Sequence, residues 1–115
     1  MADGARRGHT SGVVGSANRE VFLDMPPREA FERVLAAMQS IGRVVERWQT
    51  TMTAVGTTRY GLQSAELLVS VLPSRDGSVV QIRAAGDDIW GAGARTGAEK
   101  LIREFDPRWA HWSDE

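Results

Sequence analysis

The chain has 115 residues, 42% of them hydrophobic, and its 14 basic and 15 acidic side chains give a formal net charge of −1. This length fits one globular domain whose core is large enough to fold without disulfides or metal. The near-neutral charge argues against nucleic-acid binding, which depends on a strongly basic surface, and no apolar run of about 18 residues is present to span a membrane.

The first 18 residues are rich in Gly, Ser, Ala and Arg and contain almost no large apolar side chain. Such a segment buries too little surface to fix its conformation, so we expect residues 1–18 to be a disordered N-terminal arm. The Arg6-Arg7 pair is not followed by the apolar stretch of a signal peptide. We therefore expect a cytoplasmic protein.

Residues 19–42 predict a strand followed by an amphipathic helix. Val21 and Leu23 alternate with polar neighbours, as in a half-buried strand. The prolines after Met25 suit the first turn of a helix, where backbone amides have no partner. We expect Gly42 to end that helix in the left-handed conformation. The apolar stripe of the helix consists of Phe31, Val34, Leu35, Met38 and Ile41.

The next part of the chain predicts four strands separated by turn-like stretches. The connections are too short for parallel crossovers, which indicates an antiparallel meander. In the clearest turn, Asp76 and Gly77 are expected to supply the positive φ angles of a tight hairpin. One face of the sheet is apolar and the other is mixed, as expected where helices cover one side. The predicted strands are residues 43–48, 51–58, 65–72 and 78–85.

A second helix is predicted from about residue 88 to residue 105, with Asp88 as its N-cap. Residues 106–115 then form an acidic and aromatic tail. The predicted fold is α+β: one domain over residues 19–105, with an antiparallel sheet of about five strands and both helices on one face. The element order is strand, helix, four strands, helix.

The residue types used in catalysis and metal binding are scarce. There is no cysteine, and the two histidines, His9 and His111, lie near opposite ends of the chain. The glycines of residues 91–97 do not have the spacing of a dinucleotide fingerprint, and the lysine of a P-loop is missing. We interpret them as allowing close approach of the helix to the sheet. The sequence therefore predicts no enzyme, no metal and no cofactor.

Three large aromatic residues fall within the predicted fold: Trp48, Tyr60 and Trp90. One interpretation is that they pack at the edges of the core, since such side chains bury large areas. The other is that they line a pocket for a small apolar ligand between the sheet and the last helix.

A second candidate site lies on the mixed face of the sheet and in the tail. Leu68, Leu72 and Val79 form an apolar excess on that face, which a monomer would leave in water. Trp109 and Trp112 either fold back onto the domain or anchor a partner, since exposed tryptophans are favoured at interfaces. We therefore predict a non-enzymatic module that binds a protein partner or forms a homodimer. The alternative is a small carrier of an apolar ligand.

Three short segments carry a resemblance to known families: residues 25–31, which open the first helix, residues 64–66, which enter the fourth strand, and residues 88–91, which open the last helix. With them the chain resembles small bacterial domains of uncharacterised function that often lie beside an oligomerisation segment called SHOCT. The start of the first helix and the terminal helix over a sheet also look like a shortened helix-grip protein, of the START and Bet v 1 type. That resemblance implies a cavity beneath the last helix.

Overall fold

A computed structural model describes residues 16–60, 63–86, 92–106 and 108. Five strands and two helices follow one another in the order β-α-β-β-β-β-α, which confirms the predicted fold class. The elements are β1 (Ser16–Leu23), α1 (Pro27–Ile41), β2 (Gly42–Trp48), β3 (Thr53–Tyr60), β4 (Gln63–Ser74), β5 (Gly77–Gly86) and α2 (Ala92–Phe105).

The strands form one sheet in the order β1-β5-β4-β3-β2, and every neighbouring pair is antiparallel. Strands β2 to β5 are thus a meander, and β1 joins its far edge beside β5. Both helices contact the sheet and each other. Buried and exposed residues alternate along the strands, so both helices lie on a single face. We call this the inner face and the helix-free side the outer face.

The core lies between the inner face and the two helices. In α1 the predicted stripe is buried as far as Met38, and Ile41 is partly buried against the same cluster. In α2 the apolar stripe of Ala98, Leu101, Ile102 and Phe105 is also buried. The sheet contributes alternate residues of β4 and β5, which are fully or almost fully buried: Leu67, Val69, Val71, Val80, Ile82 and Ala84.

Helix α2 lies very close to the sheet at Gly97. A β-carbon at this position would be 3.0 Å from the Ala65 β-carbon and 3.4 Å from the Thr58 γ-methyl group. A side chain here would push the helix off β3 and β4, since interiors are packed to crystal-like density. The structure therefore confirms the packing interpretation for Gly97. Gly91 lies outside the described residues.

The predicted left-handed ending of α1 at Gly42 is wrong. Gly42 has φ −178° and ψ −128°, so the backbone is already extended and the helix passes directly into β2. The hydroxyl of Thr58 donates to the Ile41 carbonyl at 2.8 Å and satisfies one acceptor at the helix end. Glycine is needed at position 42 for space, because the Thr57 backbone carbonyl lies where a side chain would begin.

The predicted hairpin is present, but its turn chemistry differs from the prediction. Ser74 pairs with Gly77, so the two loop residues are Arg75 and Asp76. Met52 is the only described residue other than glycine with a positive φ, so the positive φ expected at Asp76 is absent. Gly77 lies within β5, where a side chain would meet the Leu23 carbonyl of β1. Glycine is therefore again required because the backbone of a neighbouring strand lies close to this position.

The predicted boundaries at both ends of the domain shift outward. Strand β1 begins at Ser16, inside the segment expected to be a disordered arm, because Ala17 is buried in the core. At the other end, Asp106 is only 4% exposed, and its amide donates to the Ile102 carbonyl at 2.8 Å. Residues 1–15, 109–115 and the proposed cap Asp88 lie outside the described part of the chain.

Candidate functional site

The outer face of the sheet is the candidate site. The pairing registers place its side chains in rows that cross the strands. One row contains Glu20, Gln81, Ser70, Thr53 and Trp48. The next row contains Asn18, Arg83, Leu68, Val55 and Glu46.

The outer face exposes large hydrophobic side chains. Phe22, Leu68, Leu72 and Trp48 are between 38% and 43% exposed, and all four lie on this face. The fifth such residue among those described is Val45, which lies in the bulge of β2. The described residues of α1 and α2 contribute none. Among the described residues, the exposed large hydrophobic side chains therefore lie on the outer face or in the bulge of its edge strand.

Two of these residues, Phe22 and Leu72, lie on either side of Val79 at the turn end of the sheet. Val79 of β5 pairs with Phe22 of β1 on one side and with Leu72 of β4 on the other. Directly opposed side chains in antiparallel strands have β-carbons about 5 Å apart, so the three form a continuous patch. Leu68 and Val55 form a second apolar pair in the middle of the face.

Between these apolar groups lies an open depression of about 370 Å³. Its walls on the outer face come from β1, β5 and β4. Within it the Gln81 amide donates to the Glu20 carboxylate at 3.0 Å. The lining side chains of the outer face are Asn18, Glu20, Leu68, Ser70, Gln81 and Arg83. The depression therefore presents an apolar floor residue, amide and hydroxyl groups and both signs of charge.

The charges of the outer face are balanced. It carries three carboxylates and three guanidinium groups, and none of the six forms an ion pair among the described residues. They are Glu20, Glu46, Glu66, Arg43, Arg59 and Arg83. These unpaired groups leave the face free to make charge contacts with another surface.

A polar cluster beside the end of β1 fixes the chain after α2. The buried Asp106 carboxylate accepts three hydrogen bonds from Arg108, at 3.0 Å from its backbone amide, 3.0 Å from Nε and 3.2 Å from Nη2. Arg108 Nη2 also donates to the Phe22 carbonyl of β1 at 2.7 Å. Hydrogen bonding to Asp106 raises the pKa of the Arg108 guanidinium, against the opposing effect of partial burial.

The structure brings together some of the predicted site residues and separates others. Leu68, Leu72 and Val79 share the outer face. Trp48 also lies there, because it pairs with Thr53, whose neighbour Ala54 points into the core. This position does not fit the interpretation that places Trp48 in a pocket between the sheet and the last helix.

The other predicted aromatics are not placed by the structure. Tyr60 ends β3, but its side chain lies outside the described part of the chain. Trp90, Trp109 and Trp112 lie outside the described residues. Their roles in a ligand pocket or in partner binding remain predictions.

Two features of the outer face were missing from the predicted site. Phe22 alternates with Val21 and Leu23, so the strand period alone places it opposite the core. The pairing of β1 with β5, which puts Phe22 beside Val79, depends on the sheet order and is not visible in the sequence. The same order assembles the depression from β1, β5 and β4.

Two further findings concern metals and membranes. Among the described residues, no group of three or more His, Asp or Glu side chains is placed to hold a metal ion. Neither described helix is long and apolar enough to cross a membrane.

Comparison with solved structures shows a likeness of fold at low sequence identity. An Arabidopsis thaliana protein of the major latex protein family, At1g70830, aligns with a TM-score of 0.59 and 13% identity, over 94% of this chain and 99% of that one. Ara h 8.0201 aligns with a TM-score of 0.58 and 10% identity, over 85% and 99% of the two chains. CalU16 from Micromonospora echinospora aligns with a TM-score of 0.53 and 13% identity, over 86% and 81%.

These likenesses confirm the distant similarity to helix-grip proteins. No protein-family model matches the chain, and no curated protein sequence matches it significantly. At this level of identity the likeness establishes the fold alone. The bacterial origin and the SHOCT neighbour remain predictions.

Proposed function

We propose that the protein is a non-enzymatic self-association module whose outer sheet face packs against the same face of a second copy. The observation that carries this proposal is the position of the exposed large hydrophobic residues. Of the five among the described residues, four lie on the outer face, and the fifth is in the bulge of its edge strand β2. Exposed apolar groups that lie beside one another, as Phe22, Val79 and Leu72 do, mark interaction sites in soluble proteins.

The charge pattern favours a second copy as the partner. A face with three acidic and three basic groups, none of them in an ion pair within the described chain, is complementary to itself. A strongly acidic or basic partner would leave half of these charges opposed to like charge. Identical copies related by a two-fold axis bring opposite charges together twice.

The size of the face is also adequate. Five strands about 4.8 Å apart, each with about eight residues rising 3.3 Å, give a footprint of roughly 600 Å². Stable interfaces bury about 600 to 1,000 Å² on each partner, so the face reaches the lower end of that range. Leu68 on the central strand β4 would then lie near the middle of the interface, with polar groups around it.

The experiment that tests this proposal is sedimentation velocity over a range of protein concentrations, on the full chain and two variants. Leu68 lies on the central strand β4, so Leu68→Glu places an unpaired charge inside any face-to-face dimer. We expect a concentration-dependent dimer for the wild type and a monomer for this variant. The matched control is Ala36→Glu, at an exposed position of α1 on the other side of the domain.

A wild-type chain that stays monomeric at every concentration would refute the proposal. Equal weakening by Ala36→Glu would show that association uses the helices instead. Circular dichroism of both variants separates loss of association from loss of fold.

A carrier of a small apolar ligand is the second candidate, and the helix-grip fold favours it. At Gly97, however, α2 lies in van der Waals range of β3 and β4, so a ligand at that point would displace the helix. Native mass spectrometry of the protein purified from cells tests this candidate. An added mass of a few hundred daltons that survives Leu68→Glu would favour the carrier over self-association.

A further inference from the structure

Trp48 and the depression lie on the same face but at opposite sides of it. Trp48 is on the edge strand β2, while the depression is centred on β5, three strands away in the sheet. At about 4.8 Å between strands this separation is roughly 14 Å, so Trp48 does not fill the depression of its own chain. The exposed Trp48 is the largest apolar side chain of the described outer face.

Symmetry relates these two features in a dimer. Consider a two-fold axis in the plane of the interface, close to the strand direction and between β3 and β4. It keeps each residue's position along the strands and exchanges β3 with β4 and β2 with β5. Trp48 and Gln81 lie in the same row across the sheet. The axis therefore places Trp48 of each copy over Gln81, in the depression of the other.

The same axis pairs opposite charges without further adjustment. Glu46 of β2 and Arg83 of β5 lie together in the adjacent row of the sheet. The exchange of β2 with β5 places Glu46 of one copy opposite Arg83 of the other, again twice. In that row it also places Leu68 against Val55. One axis position thus gives an aromatic contact, an ion pair and an apolar contact in two neighbouring rows.

We infer that Trp48 of each copy inserts into the depression over Gln81 of its partner, with Glu46 paired to the partner copy's Arg83. This inference rests on the proposed self-association and specifies its register, that is, which residues of the two copies face each other. Trp is the residue most favoured as an interface anchor, and a guanidinium beside its ring adds a cation–π attraction. The interface is isologous, so every such contact occurs twice.

Chemical crosslinking between two single-cysteine chains tests the register. The chain has no cysteine among its 115 residues, so each introduced thiol is unique. Trp48→Cys in one chain and Gln81→Cys in the other are mixed with a short bis-maleimide, because packed sheets lie about 10 Å apart and exceed disulfide reach. In that mixed dimer one Trp48 anchor remains intact. We expect a crosslinked heterodimer, with little product from either chain alone.

The matched control replaces Gln81→Cys with Ser64→Cys, a nearly isosteric change at an exposed position near the far end of β4. The inferred register leaves this thiol far from the partner's position 48, so we expect little product. Equal crosslinking at both positions, or none at Gln81→Cys, would overturn the inference. If the wild type still dimerises in that case, self-association stands and only the register fails.

Charge reversal provides an independent check. We expect Glu46→Arg and Arg83→Glu to weaken the dimer by about tenfold each, because each opposes like charges twice. The double variant in one chain restores opposite charges, so its dissociation constant is expected within about threefold of the wild type. Additive weakening in the double variant would contradict the pairing of Glu46 with Arg83.

Discussion

The two faces of the sheet differ in how their side chains are covered, although they share the same strands. Leu67 and Leu68 are neighbours in β4, yet Leu67 is 1% exposed and Leu68 is 38% exposed. The strand period sends Leu67 under the helices and Leu68 to the helix-free side. Burial thus depends on which face the helices cover, and hydrophobicity alone does not determine it.

The two helices cover the inner face, and small residues allow their close approach. No described part of the chain covers the outer face. Gly97 lets α2 sit directly on Ala65 and Thr58, so the described centre of the inner side is filled by protein atoms. The outer face keeps an apolar patch and a depression of about 370 Å³. In the described chain, the depression and most of the exposed large hydrophobic side chains therefore lie on the side away from the helices.

The difference between the two faces is tested by making the same substitution at two adjacent positions of β4. Leu67→Ala leaves a cavity in the core, and we expect the free energy of unfolding to fall by about 2 to 5 kcal/mol. Leu68→Ala removes a partly exposed side chain, and the expected loss is under about 1 kcal/mol. Urea denaturation at low protein concentration measures both. Equal losses would mean that the two faces are not distinct.

A second prediction concerns the closeness of α2 to the sheet. Gly97→Val adds a branched side chain where even a β-carbon lies 3.0 Å from Ala65, and we expect destabilisation of about 1 to 3 kcal/mol. Thr96→Val is the control, because the adjacent Thr96 is exposed and already branched. Thermal unfolding followed by circular dichroism compares the two variants. A Gly97→Val protein as stable as the control would indicate free space beneath the helix.

The smallest expected effect concerns the polar cluster of Asp106 and Arg108 beside the end of β1. Arg108→Ala removes three side-chain hydrogen bonds to the Asp106 carboxylate and the Phe22 carbonyl, at 2.7 to 3.0 Å for the two shortest. Because the Arg108 side chain is half exposed, water replaces part of the loss, and we expect about 1 kcal/mol. Arg28→Ala, at an exposed arginine of α1, is the comparison. If both variants lose the same unfolding free energy, the cluster of Asp106 and Arg108 makes no special contribution to stability.

The sequence predicts the framework well because periodicity records burial. For the stripe from Phe31 to Met38 and for the alternation around Leu67, only one arrangement of the helix or strand buries the apolar side chains. The incorrect predictions concern positions at which distant parts of the chain are in contact. Gly42 and Gly77 look like turn residues, but each is required by a backbone carbonyl from a distant strand. Such contacts depend on tertiary packing, which local patterns do not contain.

The candidate site is less predictable than the framework for a related reason. Leu68, Leu72 and Val79 are recognisable from the alternation within a hairpin. Phe22 and the depression depend on β1 joining β5, across more than 50 residues of chain. The face on which Trp48 lies depends on the bulge between Val44 and Glu46, which the sequence pattern of β2 does not reveal.

The contact between Arg108 and the Phe22 carbonyl also bears on how large an assembly can grow. Strand β1 is an edge of the sheet, and a free edge invites pairing with the strand of another molecule. Arg108 occupies one of the acceptors of that edge, and the bulge between Val44 and Glu46 interrupts the regular ladder at the opposite edge, β2. Both lateral routes of sheet extension are thus obstructed. For the proposed association through the outer face we therefore expect a closed dimer and no open-ended fibre growth.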